Sequence, residues 1–271
     1  MSEKEEEDGM SFLEHLEVLR WHLIRAVLAV LVFAIAAFVF YDFIFDEIIL
    51  APKNVDFFTN RMFALFADYT GIESLKINTK PFQVININMA GQFATHISVS
   101  LVIGLIAGFP YLFFEFWRFV RPALYSTEKK HARGSIFYTS FLFALGVAFG
   151  YYVITPLSVH FLGSYNVSSQ VMNQINLTSY ISTITSIVLA SGIIFELPIL
   201  IFFLSKIGLV SPEFLRKYRK HSIVLILILS AIITPPDIFS QVLVCLPLLV
   251  LYEVGIGISK RIQKQQAVEF E

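Results

Sequence analysis

Residues 181–204 read ISTITSIVLASGIIFELPILIFFL, a run of 24 residues with one charge, Glu196. As a helix the run would reach about 36 Å, enough for the roughly 30 Å hydrocarbon core of a bilayer. Inside lipid every backbone N–H and C=O must be satisfied within the segment, which holds such a run to an α-helix. An ionised carboxylate at that depth is costly, so Glu196 is a functional candidate by default. Pro198, two residues on, has no N–H for the carbonyl of Ile194. An acid beside a proline in an apolar helix fits a protein that handles something polar within the membrane. The plainer alternative is that Glu196 hydrogen-bonds a neighbouring Ser, Tyr or Gln and fixes helix packing.

The rest of the chain agrees: 56% of its 271 residues are apolar, 15% are charged and 28 are Phe, too apolar for a soluble domain. Six apolar segments stand near 26–41, 93–114, 136–161, 179–204, 222–234 and 238–252. The connectors alternate in basic content. One side holds Lys4, Arg20 and Arg25; Arg118, Arg121, Lys129, Lys130 and Arg133; Lys206, Arg216, Lys217, Arg219 and Lys220; and Lys260, Arg261 and Lys264. The other has only Lys53, Arg61, Lys76 and Lys80, all in one connector. The positive-inside rule then puts both termini in the cytoplasm. The acidic start MSEKEEEDGM lacks the basic region of a signal peptide, so no cleaved signal is expected.

The expected architecture is an all-α integral membrane protein with six transmembrane helices, cytoplasmic N- and C-termini, and short fifth and sixth helices. It is one polytopic domain over 1–271, with an N-terminal amphipathic helix over 11–25, an outer cap connector over 42–92 and a cytoplasmic tail over 259–271. The fifth segment, 222–234, would reach only about 20 Å before Pro235 and Pro236 stop it, and Glu253 is expected to interrupt the sixth. Such a hairpin thins the bilayer or is shielded by its neighbours. In the cap, FFTNRMFALFADY (57–69) places Phe58, Met62, Leu65, Phe66 and Tyr69 at helical spacing, as in a helix lying on the outer leaflet.

Ser11-Phe12-Leu13-Glu14 is a capping box that starts a helix at residue 12. Phe12, Leu16, Leu19 and Leu23 form one stripe along it, and Glu17 and Arg20, three apart, are placed to pair. The single cysteine, Cys245, rules out an intramolecular disulfide or a Cys-based zinc site. There is no GxxxxGK[ST] phosphate loop and no HExxH zinc helix, so neither a cofactor nor an enzyme activity is expected. Pro110, Pro156 and Pro247 read as helix kinks, and His96 as a satisfied packing histidine.

Four motifs, in order, carry a resemblance. Phe12-Leu13-Glu14-His15-Leu16-Glu17-Val18-Leu19-Arg20 resembles the HLxELR signature of the TatC family, the multi-spanning subunits of the twin-arginine protein translocase. Phe119-Val120-Arg121-Pro122-Ala123-Leu124-Tyr125 followed by Glu128 resembles FxxPALYxxE, and Phe195-Glu196-Leu197-Pro198 resembles FExP. Thr234-Pro235-Pro236-Asp237-Ile238-Phe239-Ser240-Gln241 resembles the TPPDxxSQ turn between the fifth and sixth helices. One position departs: the family acid before Leu-Arg is here Val18, with Glu17 one residue earlier, a rotation of about 100° on a helix. Either Glu17 takes over that role through a slightly turned helix, or the contact is weaker in this chain.

The resemblance implies a receptor for folded proteins bearing paired-arginine signal peptides. Glu128 and Glu17 would receive the guanidinium groups, and Phe119, Pro122, Leu124 and Tyr125 would lie beside them. Carboxylates accept the arginine fork in a way that a lysine cannot reproduce. Glu128, after Ser126-Thr127, is also explained as an acid at a helix start. Glu196 and Pro198 would form an intramembrane docking point for a partner or for substrate, and Pro52, Asp237 and Gln241 outer-side turns. Implied partners are single-span TatA- and TatB-type subunits, lipid and further copies of the chain, with no nucleic acid. The setting is a prokaryotic cytoplasmic (inner) membrane, with energy from its proton gradient. Two rivals stand beside this reading: a small-ligand transporter or channel built on Glu196, and a scaffold that gathers partner helices without touching substrate.

Overall fold

A computed structural model describes residues 12–79, 82–120, 132–168, 170–171, 173–234 and 236–269. Helix α1 spans Phe12–Val39, and its start agrees with the capping pattern, although Ser11 lies outside the described residues. A helical turn at Tyr41–Phe43, a π-helical turn at Ile44–Ile49 and a 3-10 turn at Ala51–Lys53 lead to α2 (Phe58–Thr70). Strand β1 (Val84–Ile85) pairs in parallel with β2 (Ile175–Asn176), Val84 opposite Ile175. Between them run α3 (Gly91–Val120), α4 (Ala132–Phe149), a π-helical turn at Gly150–Ile154, and α5 (Thr155–Ser164). After β2 come α6 (Leu177–Phe195), α7 (Leu197–Lys206), α8 (Pro212–Lys217), α9 (Arg219–Ile233) and α10 (Ile238–Glu269).

Among the described residues, five stretches are long and apolar enough to cross a membrane: Leu16–Val39, Gly91–Val120, Gly134–Ser164, Leu177–Lys206 and Ser240–Gln265. Helix α9 has 15 residues, about 22 Å by helical rise against a hydrocarbon core of about 30 Å, so the fifth segment is short as expected. The sixth is not. Glu253 leaves the helix intact because its carboxylate is half exposed and accepts from Arg219 Nη2 at 2.8 Å. A charge that finds a partner outside the apolar surface gives a helix no reason to stop, and α10 continues for 32 residues to Glu269. Residues 259–269, expected as a tail, are therefore helical. Pro110 and Pro247 lie inside continuous helices, and Pro156 follows the π-helical turn at the start of α5.

The helix pairs are read from their closest contacts. α1 packs chiefly on α3, and a Cβ added at Gly104 would stand 2.7 Å from the Val30 carbonyl oxygen and from the Ala34 nitrogen. α4 meets α6 as closely: a Cβ at Gly146 would lie 2.6 Å from the Ser191 carbonyl oxygen. Ser205 Oγ and Ser259 Oγ, 2.8 Å apart, join α7 to α10, and Gln241 Nε2 donates to Leu227 O to join α10 to α9. We call the end that carries the start of α1 proximal and the other end distal. One apolar core gathers Ile154, Phe195, Ile226 and Leu248; a second gathers Val99, Tyr180, Ile181 and Ile184.

The distal end is closed by a cap built on amides. Asn78 Nδ2 donates to Asn60 Oδ1 (3.2 Å), Pro156 O (3.1 Å) and Pro52 O (3.5 Å), while its backbone N–H donates to His160 Nδ1. Asn60 Nδ2 donates to Pro52 O and Asn54 O, and Thr59 Oγ1 to Tyr152 O. Helix α2 consequently buries Thr59, Asn60 and Ala67 and exposes Phe58, Met62, Leu65, Phe66 and Tyr69. Its apolar stripe faces away from the protein. At the cap's edge, hydrogen bonds to Asp68 and Glu73 raise the Lys76 ammonium above the usual lysine range.

Candidate functional site at the proximal end

The proximal ends of α1 and α3 are joined by a buried acid. Glu115 is 2% exposed. Its Oε2 lies 2.5 Å from His22 Nδ1 and 3.4 Å from Arg25 Nε, both on α1. A contact that short needs a proton between the two atoms, so the imidazole N–H donates to the carboxylate. Arg25 Nη2 lies 3.3 Å from the same ring nitrogen, and Tyr111, one turn earlier on α3, turns its hydroxyl toward the same carboxylate. Phe119 sets its ring edge against His22, with centroids 6.1 Å apart.

Of the residues expected to meet a signal peptide, Glu17 and Phe119 lie at this end of the structure. Glu17 is exposed and pairs with Arg20, Oε1 to Nη2 at 3.5 Å, as the spacing predicts. An exposed pair of that length contributes little, which leaves the Glu17 carboxylate open to a stronger partner. Pro122, Leu124, Tyr125 and Glu128 lie outside the described residues.

Glu196 occupies the break between α6 and α7, its backbone N–H turning back to Ile193 O at 3.1 Å. Pro198 sits in the first turn of α7, where a missing N–H costs nothing. Both Glu196 carboxylate oxygens are out of solvent, and no side-chain donor among the described residues reaches them. The packing alternative, a bond to a Ser, Tyr or Gln, is thus not what the described side chains make. The hydroxyls of Thr139, Ser140 and Ser191 are buried and unpartnered as well. On the face between α3, α4 and α6 a groove of about 630 Å³ opens, lined mostly by apolar side chains such as Ile103, Ile106, Phe143 and Val188, with Ser140 and Tyr151 among them.

The distal turn residues have local work. Pro52 offers its carbonyl to both cap asparagines. Asp237 caps α10, its Oδ2 accepting from Ser240 N at 2.8 Å, and Gln241 ties α10 to α9. His96 stacks on Phe38 at 3.8 Å, and its Nε2 lies 3.0 Å from the Phe38 carbonyl oxygen near the end of α1. No group of three or more His, Cys, Asp or Glu able to hold a metal ion occurs among the described residues.

Glu115 and its two partners did not emerge from the sequence. The second apolar segment, read as ending at Phe114, leaves the acid outside it, yet Phe114-Glu115-Phe116-Trp117 carries the same signal as Glu196, an acid among apolar residues.

The family model for TatC, described as Sec-independent protein translocase protein, matches residues 14–247. The chain is 40% identical over 265 residues to the Sec-independent protein translocase protein TatC of Blattabacterium sp. subsp. Periplaneta americana, covering 97% of this chain and 100% of that one. Two crystal structures of a twin arginine translocase receptor TatC superpose on it. One has TM-score 0.65 at 31% identity, over 92% of this chain and 100% of that one. The other, in DDM, has TM-score 0.69 at 32% identity, over 91% and 99%.

Proposed function

The chain belongs to the TatC family of Sec-independent protein translocase proteins, and from that premise we propose that it is the subunit that receives paired-arginine signal peptides. The observation that carries this reading is the joining of α1 to α3 through Glu115. That junction brings the segment bearing Glu17 and the end of α3, after which the sequence runs on to Glu128, to one end of the molecule. The proximal end is then the cytoplasmic surface of a prokaryotic inner membrane, and six passages place both termini there. That surface is basic apart from a few acids, so an arginine pair is drawn to Glu17 and Glu128. The fork of each guanidinium matches a carboxylate in a bidentate bond that an ammonium cannot make. The apolar part of the signal is accommodated in the groove between α3, α4 and α6, which has the lining for it.

The test is binding of a twin-arginine signal peptide and its twin-lysine variant to the detergent-solubilised chain. The arginine peptide should bind roughly 10- to 100-fold more tightly, as expected when bidentate guanidinium–carboxylate bonds are replaced by single ammonium contacts, and Glu128→Ala should abolish the preference. Glu17→Ala shows whether the shifted acid takes part. Equal binding of the two peptides by folded protein would reject the receptor reading in favour of the scaffold.

Within the bilayer, Glu196 is the docking point for a polar group on a single-span TatA- or TatB-type helix or on inserted substrate. Two carboxylate oxygens without a side-chain donor support this, since buried polar atoms are ordinarily matched. Glu196→Gln keeps hydrogen-bonding capacity and should retain most export of a folded reporter. Glu196→Leu should cut it by about tenfold, the loss of one interhelical bond of roughly 1–2 kcal/mol. Full export in Glu196→Leu would remove the docking role.

A further inference from the structure

We propose that Glu115 is a positioning residue. By holding His22 and Arg25 against the end of α3, it sets where Glu17 projects relative to Phe119 and the end of that helix. The inference rests on the receptor reading and deepens it, because it concerns the placement of Glu17, one of the acids that receive the arginines.

Helix α1 packs chiefly on α3, and Glu115 adds a buried polar contact at its proximal end. Its middle lies on α3 through a seam of small residues, Gly104 and Gly108 against Val30 and Ala34. Glycines one turn apart let the helices approach closely. Two polar contacts lie beyond this seam, toward its two ends. His96 meets Phe38 O at the distal end, and Glu115 meets His22 and Arg25 at the proximal end. Residues 16–21 are all exposed, and from residue 16 on His22 is the first buried residue. The direction taken by everything before it is therefore decided at His22.

The two arms beyond the clamp match in length. Glu17 stands five residues before His22, and α3 ends five residues after Glu115. Each arm is about 7.5 Å of helix. Phe119, one residue from the end of α3, meets the His22 ring edge-on, so the same imidazole touches both Phe119 and Glu115. Glu115, at 2% exposure, is closed to a peptide by its own partners. It acts through Glu17 and does not itself contact the arginines.

The test puts spin labels on the exposed positions Trp21→Cys and Phe116→Cys of the full chain in detergent. The interlabel distance is read beside binding of the twin-arginine and twin-lysine peptides; Cys245 is buried and stays. Glu115→Ala should broaden the distance distribution and weaken the arginine peptide about tenfold, the order expected when a binding group moves by a fraction of an ångström to an ångström. Binding of the lysine peptide should not change. Glu115→Gln, isosteric and still able to bond His22, should restore the narrow distribution and most of the affinity. Should Glu115→Ala fail to fold, the double variant His22→Ala/Arg25→Ala removes the same clamp from the α1 side and should reproduce both effects.

An unchanged distance distribution in both clamp-breaking variants would overturn the proposal, as would a broadened distribution with unchanged arginine preference. No preference in the unaltered chain would instead bring down the receptor reading, and the positioning role with it. That outcome is recognised before any substitution is made.

Discussion

Asn78→Leu is expected to open the distal cap and lower stability by about 3–5 kcal/mol, the sum of lost buried hydrogen bonds and backbone strain. The side-chain amide bonds Asn60 Oδ1, Pro156 O and Pro52 O, and leucine leaves those oxygens buried with fewer donors. Asn78 also holds φ at 52°, the left-handed region that asparagine tolerates and a γ-branched apolar residue does not. Asn78→Gly separates the two causes. Glycine keeps the backbone conformation but loses the amide, so it should recover about 1 kcal/mol of the damage, the strain component. Thermal unfolding in detergent, followed on both variants, gives the comparison. Equal stability of Asn78→Leu and the unaltered chain would mean that the cap is held by something other than its amide network.

Gly104→Leu is the second large effect. A Cβ at this position would meet the Val30 carbonyl oxygen, the Ala34 nitrogen and the Ala34 Cβ, each at 2.7 Å. Two of those atoms are backbone, which cannot swing aside as a flexible side chain does. The helices must therefore separate, and overpacking of this kind costs roughly 3 kcal/mol or more where relief is blocked. Because α1 packs chiefly on α3, the loss is concentrated on one interface. Limited proteolysis should release α1 from Gly104→Leu while the rest of the bundle stays resistant. A substituted protein with unaltered resistance and unfolding temperature would show that the seam is looser than its distances indicate. Gly108→Leu, where the nearest atoms are at 3.3 Å, should be milder.

What could be read from the sequence was what is local. The start of α1 at residue 12 and the Glu17–Arg20 pair depend on neighbours within a turn or two, and each stands where its spacing placed it, whereas the break at Glu196 divides what reads in the sequence as one helix. The apolar stripe of α2 was legible too, and the structure leaves it exposed. Glu115 was not, because its meaning lies in two residues about ninety positions away. A lone acid near the end of an apolar run looks like the end of the run until its partners are seen. Glu253 misled for the same reason, since Arg219, on another helix, supplies the charge that lets α10 continue. The loop from Pro122 to Glu128 rests on motif resemblance alone, as it lies outside the described residues.

The π-helical turn at Gly150–Ile154 makes the third long span one residue longer than an uninterrupted α-helix would need to be. Each residue turns a helix by about 100°, so this surplus sets the phase of everything after it. Before the turn, Gly146 faces α6; after it, Pro156 and His160 face the cap. An α-helix of unbroken phase would present one of those faces and miss the other. Tolerance of this stretch to change is thus a matter of arithmetic before chemistry. Its side chains have substitutes, but a deletion of one residue would swing the carbonyl of Pro156 and the ring of His160 away from Asn78 while leaving every helix-forming preference in place.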